Sequence, residues 1–205
     1  VKCQILRANQ LMKLKIGDKM NIFILDTDPE KAAQMANDKH VVKMPTESMQ
    51  MICTIMDLYG FSGPMKPVML NHPCTVWARQ SGPNFQWLVN HCLALCEEYT
   101  VRYGRVHKVE TYLEEYKEEI ADTYAKLLSN NNKLTPFAQA MPESCKDDNI
   151  IKAYQQYYLQ HKWSFSTWKT TPPEWWPVKH YETMYNKKIN AFNKNHNANL
   201  KRIGE

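Results

Sequence analysis

The sequence predicts a mainly α-helical fold, one compact helical bundle with long loops, in which residues 21–25 could add one short N-terminal strand. Three observations point there. Apolar residues recur with helical period over several long stretches; proline and glycine clusters mark the boundaries between those stretches; and only one β-prone run, NIFIL, stands near the start. With 205 residues, 43% of them apolar and 23% charged, the chain has ordinary globular composition and can bury a single core.

Residues 1–19 show no clear period and carry five bases against one acid. They are expected to be a leader or extension, with Met20 a candidate true start, and residues 20–205 to form one helical domain. Asn21–Leu25 is read as a lone strand or an extended lead-in. Asp28-Pro29 is a strong helix start, because the aspartate accepts from free amides and proline suits the first helical position. Asp38 can cap a second helix. The residues Met51, Ile52, Ile55, Met56 and Tyr59 keep the helical period up to Gly60, and Pro45 should kink that helix or begin a new one. Phe61–Pro73 reads as loop. From Pro83 the stripe Phe85, Leu88, Val89, Cys92, Leu95, Cys96, Tyr99 and Tyr103 predicts a core helix stopped by Gly104. A second stripe runs from Val109 to Leu127 with an acidic face of glutamates that should point away from DNA. A loop over Ser129–Pro142 and helices over 148–160 and 178–194 complete the chain, the last two separated by a Trp/Pro segment.

No run of eighteen apolar residues occurs and the N-terminus lacks the apolar block of a secretory signal, so a cytoplasmic protein with no membrane partner is expected. The six cysteines show no paired short spacing and read as reduced thiols. Cys92 and Cys96 beside His91 could frame a metal site, but both fall on the apolar stripe, where free cysteine acts as a small hydrophobe. No metal or cofactor is expected.

Charge is distributed unevenly. Residues 20–150 carry twelve bases and seventeen acids, whereas residues 151–205 carry nine bases, three acids and eleven of the 23 aromatics. Basic and aromatic character together suit a surface that holds phosphates and stacks bases. Packing of those aromatics in the core is the competing reading.

Chemistry concentrates in DKHVVKMPTE, residues 38–47. On a helix, His40, Lys43 and Glu47 fall at i, i+3 and i+7 and project from one face. A sheltered glutamate beside a cation can act as general acid and base, and an amine of lowered pKa can attack a sugar carbon to form an imine. The same residues could instead favour a helix N-terminus and face water. Asn71-His72-Pro73, followed by Trp77 and Arg79, could present donors to a phosphate or displaced base, or could simply be a turn and helix start.

These pieces together resemble the pyrimidine-dimer DNA glycosylase family, the phage endonuclease V group and its bacterial relatives. The resemblance covers about residues 20–108 and rests on Met20-Asn21-Ile22, on Asp38-x-His40 with Glu47 after it, and on Asn71-His72-Pro73 ahead of a long helix ending in Glu98 and Arg102-Tyr103-Gly104. It implies a helical DNA glycosylase and AP lyase, soluble and cytoplasmic, in the host cell's cytoplasm if phage-encoded. An amine would attack the deoxyribose and Glu47 would drive elimination, with His40 in support. Met20, Asn21 and Lys43 join them as catalytic candidates, the amine being that of Met20 or of Lys43. An α-amine, with a reference pKa of about 8, is far more often unprotonated near neutrality than lysine at about 10.4. The expected partner is double-stranded DNA with a flipped base, bound by a monomer through Asn71, His72, Trp77, Arg79, Arg102, Arg105, Lys108, Trp168, Trp175 and Trp176. A phage base-modifying enzyme on the same scaffold and a non-catalytic nucleic-acid-binding protein are the alternatives.

Overall fold

Asn21 sets the start of the described chain, which in this computed structural model comprises residues 21–196 and 201–202. Its side-chain oxygen accepts from the Ile22 and Phe23 amides at 2.8 and 3.0 Å, so the backbone bends, and Phe23 takes a left-handed φ of 44°. Among the described residues there is no strand. The run Asn21–Leu25 is the extended lead-in of the two options, its apolar side chains buried with no strand neighbour to pair with.

Helix α1, Pro29–Met35, begins as its sequence dictates: the Asp28 carboxylate accepts from the Glu30 and Lys31 amides and Pro29 opens the first turn. Helix α2, Asp38–Leu58, is capped by Asn37 rather than by Asp38; the Asn37 oxygen accepts from the His40 amide at 2.9 Å, and Asp38 becomes the first helical residue. Pro45 lies inside α2, which continues through it instead of starting anew. Proline has no N–H to give the carbonyl four residues back. Packing compensates: Pro45 is buried among core residues, and the His107 ring reaches the neighbouring Val42 carbonyl with Nε2 at 3.2 Å. His107 Nδ1 accepts from the Val109 amide, which assigns the proton to Nε2 in the neutral ring.

Helix α3, Pro73–Ala78, starts at the His72 cap, and α4, Gly82–Tyr103, starts at Ser81 and ends on Gly104 at φ 66°. The stripe from Val109 to Leu127 serves two helices, α5 (Lys108–Glu115) and α6 (Lys117–Asn130), joined at Tyr116. Leu113, Ile120 and Leu127 are spaced by sevens and all buried, a pattern that a single-residue break leaves intact. Beyond a long loop, α7 (Ile150–Tyr157) runs into one π-turn, Tyr158–Lys162, and a short 3-10 turn, Trp163–Phe165, before α8, Val178–His196.

The core is built around α4, which packs on α2, α1 and α6. The α4–α6 approach is close enough to demand glycine: a Cβ on Gly82 would sit 2.9 Å from the Leu128 Cα. Cys53, Cys74, Cys92, Cys96 and Cys145 are free thiols inside this core. No helix among the described residues is long and apolar enough to cross a membrane.

Candidate active site

Helix α2 carries His40, Lys43 and Glu47 on one face, and each meets a different environment. Glu47 is sheltered, its side chain 12% exposed, and its Oε1 accepts from the Lys43 ammonium at 2.8 Å. Its Oε2 is buried with no hydrogen-bond partner. A carboxylate oxygen in that state is costly unless something donates to it, so it is an acceptor held ready. Lys43 is 37% exposed and reaches over the carboxylate from the solvent side.

His40 is enclosed. Phe23 stacks on its ring at 4.0 Å and 17°, Tyr158 and Phe165 meet it edge-on, and its Nδ1 lies 2.5 Å from the Tyr158 hydroxyl. Burial holds the Tyr158 phenol well above its ordinary range, so the phenol keeps its proton and donates to Nδ1. The ring is thereby fixed in orientation, and the bent lead-in is pinned to α2 through the Phe23 stack.

Sequence reasoning missed a third cation here. Lys162, 1% exposed, closes the π-turn with its ammonium 4.8 Å from the Tyr157 ring centroid and 5.5 Å from that of Phe23. Nothing in a basic, aromatic stretch announces which lysine points inward. The nearest signal is the single π-turn itself, a feature concentrated at functional sites.

The lead-in and α3 meet beside Glu47. The Cys74 thiol, in the first turn of α3, is pushed up to about 12 first by burial; the Ile22 backbone opposes that shift and the Glu47 carboxylate adds to it. Residues 21–22, Cys74 and Glu47 therefore share one neighbourhood. Asn21 is itself buried, its amide nitrogen donating to the Ala140 carbonyl at 2.7 Å. Met20 lies outside the described residues.

The expected DNA contacts divide by exposure. Asn71 is exposed, His72 is the half-buried cap of α3, and Arg79 donates to the Leu70 carbonyl at 3.0 Å. Arg105, in the turn after α4, and Lys108, the first residue of α5, are exposed. Trp77 is in the core between Trp87 and Phe137, so it has no face to offer a base. Arg102 is also internal: it donates to Glu98, to Asp38 and to the Ala36 and Gln34 carbonyls, and so clasps α4 to the α1–α2 junction. Trp176 is buried between Trp168 and Tyr181, while Trp168 donates to the Met35 carbonyl and half-buried Trp175 packs on Tyr158. These tryptophans form a small aromatic cluster that fastens the C-terminal segment to the bundle, as the core reading of that segment expects.

Cys92 and Cys96 point into the core with His91 stacked on Trp87, and no group of three metal-ligating side chains exists among the described residues. A surface cavity of about 640 Å³ between α4, α5 and α6, lined by Leu93, Val106 and Ile120 under an acidic rim, lies apart from all of these side chains.

Searches of curated proteins and of solved structures found no match to the chain. Residues 20–112, the stretch holding the lead-in, α2 with its His40, Lys43 and Glu47, and α3, are similar to the family model for pyrimidine dimer DNA glycosylase, which matches a little under half of the chain.

Proposed function

We propose that the chain is a DNA glycosylase with AP lyase activity on a damaged or modified pyrimidine, in which Glu47 is the acid/base. The observation that carries this reading is the Glu47 carboxylate, sheltered, ion-paired on one oxygen and unpartnered on the other. An unprotonated amine attacks C1′ of an extruded nucleotide and the glycosidic bond breaks with its electron pair leaving on the base; the nitrogen lone pair then forms the C=N bond as the C1′–O4′ bond opens, O4′ takes up the proton the nitrogen gives up, and the ring-opened sugar is held as an imine. Glu47 then accepts the C2′ proton, and the electron pair expels the 3′ phosphate.

Two amines are near enough in the chain to serve. Lys43 donates to Glu47 from a half-open position, so its nitrogen is turned to the carboxylate. The α-amine of a chain beginning at Met20 would directly precede Asn21 in sequence, and an α-amine needs much less help to lose its proton than a lysine does. We assign the nucleophile to that α-amine and give Lys43 the task of orienting the Glu47 carboxylate. His40 holds the lead-in in place rather than touching the sugar.

Glu47→Gln keeps the shape and loses the base. It is expected to slow strand cleavage by about 100-fold or more, within the range general-base removal produces, while leaving binding to lesion-bearing duplex nearly unchanged. Gel analysis of a single pyrimidine-dimer duplex checks both; cleavage at the wild-type rate would remove Glu47 from the chemistry.

A further inference from the structure

The loop between α2 and α3 carries an exposed apolar pair on a held backbone. Met69 and Leu70 are 51% and 40% exposed, and Met69 adopts φ 55°, a left-handed conformation that side chains other than glycine, asparagine and aspartate rarely take. Both flanks are tied down. Thr54 Oγ1, on α2, accepts from the Val68 amide at 2.9 Å; the His72 amide donates to the Met69 carbonyl at 2.9 Å; and Arg79 donates to the Leu70 carbonyl at 3.0 Å. A structure that fixes a strained turn from three directions, and leaves two large apolar side chains in water at its tip, has kept them for something outside the fold.

Position says what that is. Thr54 is seven residues after Glu47 on α2, so the two share a helix face about 10 Å apart along the axis. The loop's stem at Val68 therefore rests on the same face of α2 as the carboxylate, one residue before the exposed pair. Its neighbours Lys66 and Asn71 are exposed. We propose that Met69 and Leu70 form a wedge that enters the duplex beside the extruded nucleotide and holds the stack open. This rests on the glycosylase reading for its partner, DNA. Apolar side chains inserted at a base step unstack it, and a wedge carried on a rigid turn loses little freedom in doing so.

The test needs no chemistry. A duplex holding a stable abasic analogue with 2-aminopurine as its neighbour reports unstacking as fluorescence. The full chain is expected to raise the signal several-fold. The Met69→Asn/Leu70→Asn double variant should give a rise about tenfold smaller while still binding the duplex by anisotropy, because asparagine tolerates the left-handed turn but offers no wedge. An equal rise from both proteins, or none from the bound wild type, overturns the wedge. Excision of a pyrimidine dimer by a chain begun at Met20, measured in parallel, keeps the two claims apart: a wild type that unstacks but never excises refutes the glycosylase and leaves the wedge standing, and a double variant that excises and unstacks normally does the reverse.

Discussion

Both ring nitrogens of His91 are enclosed without a hydrogen-bond partner, between the Trp87 ring and the core face of α4. Burial lowers its pKa from an ordinary 6.5 to about 3, so the folded protein holds a neutral ring. Below pH 6.5 the unfolded chain takes up a proton that the fold refuses, and stability falls as pH drops toward 3. At about 1.4 kcal/mol per unit the loss reaches roughly 5 kcal/mol. Urea midpoints measured between pH 7 and 4 should fall steeply for the wild type and more gently for His91→Phe; parallel profiles would contradict the assignment. The apolar stripe made Cys92 and Cys96 legible as interior from their spacing, but not that His91 beside them would be buried and unpaired. Lys162 and His40 were illegible for the related reason that a polar side chain is buried only where distant rings close over it.

Among the elements, the caps and stops were readable because each is decided within four residues: Asp28-Pro29 for α1, Gly82-Pro83 and Gly104 for α4. What local spacing left open was decided elsewhere. Pro45 stays helical because the core encloses it and His107 serves the adjacent carbonyl, and the α5–α6 break hides behind a seven-residue spacing that both arrangements satisfy. Arg102 looked like a phosphate contact because its partners, Asp38 and the carbonyls ending α1, are more than sixty residues away in sequence. Asp38 also accepts from the Lys169 amide and the Thr167 hydroxyl, so this one cluster ties α1, α2, α4 and the C-terminal segment together. Arg102→Ala should cost about 3–5 kcal/mol in chemical unfolding, because it strands two sheltered carboxylates. Arg102→Lys should recover little of it, since one ammonium cannot reproduce the guanidinium fork. A loss under 1 kcal/mol would mean the clasp is not structural.

At the scale of the molecule the charge is polarised, with Glu114, Glu115 and Glu118 exposed on α5 and α6 and Lys169, Lys179, Lys187 and Lys194 exposed along the C-terminal segment. That segment's aromatics serve mainly to attach it, so its contribution to DNA binding should be electrostatic. Affinity for undamaged duplex should fall steeply with salt, and each of Lys179→Ala and Lys187→Ala should reduce the slope of log K against log salt by about 1. An unchanged slope would move the DNA path off this face. The family match covers the lead-in and the Glu47 helix but stops at residue 112, before these lysines. The account therefore stands or falls on an amine beside Glu47, and borohydride trapping on a pyrimidine-dimer duplex, followed by peptide mapping, tests it most directly. For a chain begun at Met20 the predicted result is a covalent DNA adduct on the α-amine that precedes Asn21; the absence of any adduct, or one mapped to a lysine remote from Glu47, would contradict it.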